Sequence, residues 1–259
     1  MQQEIVKTKN NLKISIAWLY PKQMSTYGDR GNILTIWKRA RWRGIGVSVR
    51  EIDLKEKIDP NRFDLFFFGG GQDQAQKSVS DDLRKYKRDD LRKAARLKSV
   101  FLGICGGYQL FGQYYRPAGE PELPGIGLLD ITTVASNNRM IGNIVIETNK
   151  KLKGEADNIL VGFENHSGKT YLGRKSSSLG NVVVGHGNNG EDRTEGAFQG
   201  NVFGCYLHGP LLPKNPKFAD MLIKKALEKN HGPVKLEPLD DLLENNVHES
   251  VIQRAKEVH

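Results

Sequence analysis

The chain has 259 residues, of which 38% are hydrophobic, enough for the core of one large α/β domain or two smaller ones, so a disordered chain is excluded. The two cysteines form neither a disulfide framework nor a metal-ligand spacing, which fits a reducing compartment and predicts no metal site. No apolar run approaches the roughly 18 residues of a membrane span, so we expect a soluble cytoplasmic protein. The formal net charge of +9 leaves an acidic partner or an anionic lipid surface open, but no base-reading motif supports binding to nucleic acid.

The first predicted elements are a strand and a helix joined by a glycine-bearing loop. Residues 12–20 predict the strand, and residues 33–40 carry apolar side chains at helical spacing. The intervening loop, residues 26–32, contains Asp29 and Asn32, either of which can cap the helix. Contact of this loop with a ligand or a partner is the alternative.

Two further strands are predicted at residues 47–54 and 63–68, and the second ends in the glycine cluster of residues 69–71. Consecutive glycines at the carboxyl end of a strand let backbone N–H groups approach a ligand closely. The cluster lacks the Gly-Lys-Ser/Thr ending of a phosphate-binding loop. We therefore expect it to bind an oxyanion.

Residues 81–98 contain eight basic and four acidic side chains around a narrow apolar stripe. This pattern predicts a solvated surface helix that crosses to the next strand.

A nucleophile elbow is predicted at Cys105. Residues 100–104 form a buried apolar strand, and Gly103-Ile-Cys105-Gly-Gly107 has the glycine-flanked spacing of a strained strand-to-helix turn. The cysteine then projects into solvent at a helix N-terminus, where backbone N–H groups favour the thiolate and donate to a developing oxyanion. The alternative is a buried, inert cysteine in a glycine-rich turn.

Strands and helices in this order predict an α/β fold with an open, mostly parallel flavodoxin-like sheet flanked by helices. An antiparallel extension follows, with strands at residues 125–134, 141–147 and 160–168. Arg139 lies in the predicted turn at residues 136–139 and is either an exposed turn residue or a clamp for a carboxylate.

A last apolar strand within residues 201–210 delivers His208 at its carboxyl end. If this strand is parallel to that of Cys105, both side chains lie at one edge of the sheet, as the nucleophile and base of a thiol acyl transferase. A purely structural histidine is the alternative. Residues 218–226 predict an amphipathic helix, and residues 231–259 form a polar tail that docks or frays.

Several motifs carry a family resemblance. The chain resembles the class I glutamine amidotransferase domain, in its cobyric acid synthase-like branch, at residues 69–71, 103–109 and 206–210. Within that branch it is similar to the GatD family, the glutaminase subunits of lipid II isoglutaminyl synthase, at residues 27–32, 69–73, 138–139, 163–167 and 207–216. The resemblance covers roughly residues 12–230, so we assign residues 1–230 to a CobB/CobQ-like amidotransferase domain and 231–259 to the tail.

The resemblance implies hydrolysis of L-glutamine to glutamate and ammonia. Cys105 attacks the side-chain amide, His208 protonates the departing ammonia and activates water, and backbone N–H groups near Gly70 and Gly106 hold the oxyanion. It also implies a heterodimer with a MurT-like Mur ligase subunit, which binds ATP and magnesium and amidates the D-glutamate α-carboxyl of lipid II. This chain itself then needs no cofactor.

The resemblance further matches Gln109 to a pocket glutamine and Arg139 to the position that holds the substrate α-carboxylate. One departure concerns the catalytic acid, because Pro210 stands where many class I amidotransferases have a glutamate. The orienting acid is then either Glu164 or an acid contributed by the partner.

Three other functions remain open at this stage: an amidotransferase of another cobyric acid synthase-like pathway, a DJ-1-like cysteine hydrolase, and a non-catalytic binding subunit. Gln109, Arg139 and the separate strand of His208 favour the amidotransferases over the DJ-1-like hydrolase.

Overall fold

The structure, a computed structural model, describes residues 11–25 and 28–258. Thr26 and Tyr27 of the predicted loop therefore lie outside the described residues, as does the polar amino-terminal segment. The helices are α1 (Arg30–Trp42), α2 (Asp73–Asp82), α3 (Arg88–Arg96), α4 (Gly106–Phe111), α5 (Pro216–His231) and α6 (Leu242–Val258). The strands are β1 (Lys13–Leu19), β2 (Gly46–Ile52), β3 (Leu65–Phe68), β4 (Val100–Ile104), β5 (Tyr114–Arg116), β6 (Leu123–Pro124), β7 (Ile131–Thr148), β8 (Ile159–Leu172), β9 (Gly180–Val184), β10 (Thr194–Glu195), β11 (Ala197–Gln199) and β12 (Val202–Cys205).

The main sheet has the strand order β11-β12-β4-β3-β1-β2, and all of its pairs are parallel except that of β11 with β12. Every residue of β3, β4 and β12 is buried, as expected for central strands covered on both faces. Helix α1 packs against α5 and β2, whereas α4 packs against β4 and β12. The predicted α/β fold with a mostly parallel, flavodoxin-like sheet is confirmed.

A second sheet provides the predicted antiparallel extension, with the order β10-β9-β7-β5-β6 and β8 paired to β7. The predicted turn at residues 136–139 is wrong, because β7 runs through it as one strand. Ala135 pairs with Gly168 and Met140 with His166, so the register shifts between them. The intervening residues form a bulge, and continued pairing with β8 keeps the strand intact on both sides of it.

The basic segment departs from the predicted surface helix. It comprises the end of α2, a π-helical stretch at Leu83–Lys87 and α3. Lys87 is buried and paired with Asp82, which also accepts a hydrogen bond from Tyr20 Oη at 2.8 Å. The prediction of a solvated face is therefore wrong for Lys87, because a buried carboxylate neutralises it.

The carboxyl-terminal segment docks on the body of the protein. The buried Arg39 donates to Asp220 at 2.7 Å and to Asp241 at 2.6 Å, which ties α1 to α5 and to the residue before α6. Helix α6 packs against β7 and β8, with Ala255 fully buried. None of the helices in the described part of the chain is long and apolar enough to cross a membrane.

Candidate active site

Cys105 occupies a sharp turn between β4 and α4. Its φ of +50° is unusual for a side-chain-bearing residue, and its N–H donates to the carbonyl oxygen of Cys205 at 2.9 Å. The glycines of the motif are required by close packing: a Cβ on Gly107 would lie 2.3 Å from the Phe68 carbonyl oxygen. The cysteine is only 8% exposed, so the expectation that it projects into solvent is wrong. It faces a cavity instead.

The cavity has a volume of about 280 Å³ and a mainly polar wall. It is lined by Gly71, Gln72, Gln76, Cys105, Gln109, Tyr115, Arg139, Asn165, His166, Ser167 and Gly168. The carboxyl end of the parallel sheet and the β7–β8 pair of the second sheet therefore build it together.

His208 reaches the same edge of the sheet as Cys105. Strand β12 is parallel to β4, with Cys205 opposite Ile104, and His208 follows three residues later. Its backbone is fixed by Phe163 in β8, through His208 N–H to the Phe163 carbonyl at 2.8 Å and the reverse bond at 3.2 Å. The predicted placement of the histidine is thereby confirmed, whereas its catalytic role stays a prediction.

Gly70 lies beside both reactive groups, and its lack of a side chain leaves room for them. A Cβ on Gly70 would lie 3.1 Å from Cε1 of His208 and 3.3 Å from Cβ of Cys105. Burial lowers the pKa of His208, but the negative charges of Cys105 and Asp29 outweigh it and raise that pKa to about 10. This environment favours the protonated imidazolium of His208 beside Cys105 at neutral pH.

Asp29 contacts the site rather than capping α1. It stands at the N-cap position but its side chain makes no capping hydrogen bond. Its Oδ2 accepts the Gly70 N–H at 2.6 Å, and its Oδ1 lies 3.6 Å from Nδ1 of His208. Asn32 does not cap the helix either, because its Oδ1 accepts the N–H of Leu212 at 2.9 Å. The predicted N-cap position is therefore right for Asp29 and wrong for Asn32, but the side chain of Asp29 makes no capping hydrogen bond.

The same contacts correct the predicted oxyanion hole. In this arrangement the Gly70 N–H is engaged by Asp29 and is not directed to a substrate oxyanion. Gly71 lines the cavity instead. Gly106 is the first residue of α4, where a helix offers no internal acceptor for the backbone N–H. Its role as an oxyanion donor stays a prediction.

Glu164, one of the two candidates for the orienting acid, is bonded to the loop after β9. It is fully buried, and its Oε1 accepts the backbone N–H of His186 at 2.7 Å and contacts Nδ1 of the same residue at 2.9 Å. Its Oε2 accepts the Gly187 N–H at 2.9 Å. These bonds hold the loop after β9, and the carboxylate beside His208 is that of Asp29. Of the two alternatives for the orienting acid, Glu164 is therefore wrong, and an acid contributed by the partner stays a prediction.

Gln109 and Arg139 stand on the cavity wall, as the two substrate-binding predictions require. Gln109 donates to the hydroxyl of Tyr206 at 3.1 Å and accepts from Gln76 Nε2 at 2.9 Å, which fixes its orientation. The exposed Arg139 donates through Nε to Asn165 Oδ1 at 2.7 Å. Their contacts with substrate stay predictions. Sequence reasoning missed Gln76, which belongs to no motif, and gave no role to Tyr206, although it begins the motif at residues 206–210. Only the fold brings these two side chains to Gln109.

His166 is another cavity residue that sequence reasoning missed. Its ring stacks on Tyr206 with centroids 3.5 Å apart, and its Nδ1 contacts the Gly168 carbonyl at 2.8 Å. Within the described residues, no group of three or more His, Cys, Asp or Glu side chains has the geometry of a metal site. A thiol nucleophile, a neighbouring imidazole and a polar cavity together are suited to acyl transfer.

Comparison with known proteins identifies the family. Residues 15–216 match the CobB/CobQ-like glutamine amidotransferase domain. The chain is 40% identical over 239 residues to the lipid II isoglutaminyl synthase (glutamine-hydrolyzing) subunit GatD of Streptococcus pneumoniae, covering 92% of this chain and 90% of that protein. It is 39% identical over 243 residues to the subunit GatD of Staphylococcus aureus, covering 94% and 96%.

Among solved structures, PurLQS from Thermotoga maritima shares the fold, with a TM-score of 0.54 at 16% identity over 83% of this chain and 95% of that chain. The family match and the extent of both GatD alignments lead to one assignment. The chain belongs to the CobB/CobQ-like glutamine amidotransferase family and, within it, to the GatD subunits.

Proposed function

We propose that this chain is the glutaminase subunit of a lipid II isoglutaminyl synthase. It hydrolyses L-glutamine to glutamate and ammonia, and a partner ligase uses the ammonia to amidate the D-glutamate α-carboxyl of lipid II. The observation that carries the proposal is the pairing of Cys105 with His208 beside a polar cavity. The 39–40% identity to two GatD subunits over nearly the whole chain supports the choice of pathway.

In the first half of the reaction, the Cys105 thiolate attacks the side-chain amide carbon of glutamine. The developing oxyanion is held by backbone N–H groups at the cavity edge, of which Gly106 is our candidate. The imidazolium of His208 then gives its proton to the leaving nitrogen, so that ammonia departs and a thioester remains. In the second half, His208 takes a proton from water, which hydrolyses the thioester and releases glutamate.

Substrate recognition requires a cation for the α-carboxylate of glutamine. Arg139 lies at the cavity with its Nε bonded to Asn165, which restricts the guanidinium before substrate arrives. Gln109 is held by Gln76 and Tyr206 and offers a fixed amide to the substrate. A rigid clamp loses little side-chain entropy on binding, so it contributes more of its interaction energy to affinity.

The partner follows from the names of the relatives, each of which is a subunit of a synthase. We propose a MurT-like Mur ligase subunit that forms a heterodimer with this chain and binds ATP and magnesium, while this chain carries no cofactor. The complex then works in the cytoplasm, where ATP is available.

The test is glutamine- and ATP-dependent amidation of lipid II by the purified complex, followed by mass spectrometry. We expect Cys105→Ala to abolish amidation with glutamine and to leave amidation with ammonium chloride intact, because only the ammonia supply is lost. Cys205→Ala is the matched control, since that cysteine is buried outside the cavity. Amidation from glutamine by the Cys105→Ala complex, or no ammonia release by the wild type, contradicts the proposal.

A further inference from the structure

A second groove lies at the opposite edge of the main sheet from the active-site cavity. It has a volume of about 520 Å³ and runs between the end of α3 and the turn at residues 199–202, which joins β11 to β12. Lys98 precedes β4 and Asn201 precedes β12, whereas Cys105 and His208 follow the carboxyl ends of those two strands. The length of β4, about 16 Å, therefore separates this groove from the reactive groups.

The wall of the groove is basic. Among the described residues that line it, none is acidic and three carry a positive charge, namely Arg92, Arg96 and Lys98. Within the described part of the chain, no ion pair joins any of the three to a carboxylate. Exposed arginines elsewhere do pair, as Arg50 does with Glu56 at 3.3 Å. The groove therefore concentrates positive charge without ion-pair partners among the described residues.

Arg92 is held in place before any ligand binds. Its Nε donates to the carbonyl oxygen of Ile126 at 2.6 Å, and a Cβ on Gly127 would lie 2.7 Å from its Nη2. Gly127 has a φ of +62°, and its lack of a side chain leaves room for the guanidinium. The loop after α4 therefore fixes Arg92 against the groove, so that little side-chain entropy is lost when a ligand binds.

The electrostatic environment of Arg92 is repulsive. Burial lowers the pKa of this guanidinium, and the positive charges of Arg88 and Arg96, one helical turn to either side on α3, lower it further. The charge of Asp89 opposes this effect without outweighing it. An anion between the guanidinium groups would relieve the repulsion and accept charge-assisted hydrogen bonds.

Two further groups complete the set of donors. Lys98 follows the C-cap of α3 with a φ of +68°, a conformation that glycine usually supplies at this position. Asn201 Nδ2 donates to the carbonyl oxygen of Lys98 at 2.9 Å and holds the lysine at the edge of the groove. Gln199 accepts from Ser176 Oγ through Oε1 at 3.3 Å, which leaves its amide nitrogen as a donor.

We propose that this groove binds an anion with two adjacent phosphate groups, through the guanidinium groups of Arg92 and Arg96 and the ammonium of Lys98. Arginine binds phosphate oxygens through two parallel N–H bonds, whereas lysine binds them as a point charge. Three cations match an anion with more than one negative charge, and the groove is larger than one phosphate group requires.

Two sources share this chemistry, the diphosphate of a soluble nucleotide and neighbouring headgroups of anionic phospholipids. The site goes beyond the function proposed above, because it lies away from the cavity and takes no part in the hydrolysis of glutamine. A binding test therefore needs neither glutamine nor the partner subunit, and loss of ammonia release in the wild-type complex would refute the proposed function separately.

The experiment measures binding of inorganic pyrophosphate to the full chain by isothermal titration calorimetry, in magnesium-free buffer at near-physiological ionic strength. We expect one saturable site with a Kd below about 1 mM. Arg96→Gln should weaken binding about tenfold, because one charge-assisted contact is lost. Arg50→Gln is the matched control, since it also removes an exposed guanidinium but one outside the groove, and it should leave Kd unchanged. Both variants should keep the wild-type rate of ammonia release in the complex.

Competition against pyrophosphate then distinguishes the sources. Displacement by UDP supports a soluble diphosphate, and displacement by phosphatidylcholine vesicles only when they contain phosphatidylglycerol supports phospholipid headgroups. Displacement by neither, including displacement by single-stranded DNA alone, overturns the proposal. Absence of saturable binding up to about 10 mM pyrophosphate overturns it too. An equal loss in Arg96→Gln and Arg50→Gln also overturns it, because binding then follows the net charge of +9 and not the groove.

Discussion

Arg139→Ala is expected to weaken the use of glutamine selectively. Arg139 is exposed, and among the described residues its side chain makes one hydrogen bond, to Asn165. Its removal should change the free energy of unfolding by less than about 0.5 kcal/mol. A hydrogen bond from a charged group to the substrate carboxylate is worth about 1.5 to 3 kcal/mol. We therefore expect kcat/KM for glutamine to fall roughly ten- to hundredfold.

The assay measures ammonia release by the complex with glutamine and with γ-aminobutyramide, which lacks the α-carboxylate. The wild type should lose about as much kcat/KM on the analogue as Arg139→Ala loses on glutamine. The variant should then treat both amides alike, because the interaction is already absent. Arg116→Ala is the matched control, since Arg116 is also an exposed arginine but is bonded to Glu122 outside the cavity.

Two outcomes would refute this reasoning. If Arg139→Ala loses as much activity on γ-aminobutyramide as on glutamine, Arg139 supports the catalytic groups and does not recognise the carboxylate. If its kinetics are unchanged on both amides, Arg139 is an ordinary residue of the β7 bulge.

Three further predictions concern other positions. A glutamine-analogue electrophile should label Cys105 and not the fully buried Cys205, and labelling of Cys205 would contradict the assignment of the nucleophile elbow to Cys105. Cys105→Ser should lose nearly all glutaminase activity, because an alcohol ionises far less than a thiol. Glu164→Gln should lower the midpoint of denaturation, because it weakens the hydrogen bonds to the loop after β9. It should leave the pH profile of Cys105 alkylation unchanged, and a shifted profile would support Glu164 as the acid that orients His208. Burial raises the pKa of Glu195 from 4.5 to about 8, so the folded state holds a proton that the unfolded state releases. The free energy of unfolding, measured relative to that of Glu195→Gln by urea denaturation, should therefore fall between about pH 5 and pH 8. A difference between the two proteins that does not change with pH would contradict this.

The acid beside the histidine shows where sequence reasoning stopped. Glu164 and Asp29 both stand in motifs that resemble the family, and no spacing rule separates them. Which of the two carboxylates lies beside His208 depends on distances between residues far apart in the chain. The positions of β8, which carries Glu164, and of the start of α1, where Asp29 lies, set these distances. The glycine motif likewise predicted that the Gly70 N–H binds the substrate oxyanion, whereas in the structure it donates to Asp29.

The sequence by itself determined the parallel sheet and the placement of Cys105 and His208. Apolar runs that end in glycine, cysteine or histidine are local signals, and parallel strands bring their carboxyl ends to one edge. Only the tertiary structure decided which polar groups meet there: the carboxylate of Asp29, the continuous strand that carries Arg139, and the buried pairing of Lys87. Hydrogen-bond and ion-pair partners are selected by burial and by distances of a few ångströms between remote segments, and no local pattern encodes them.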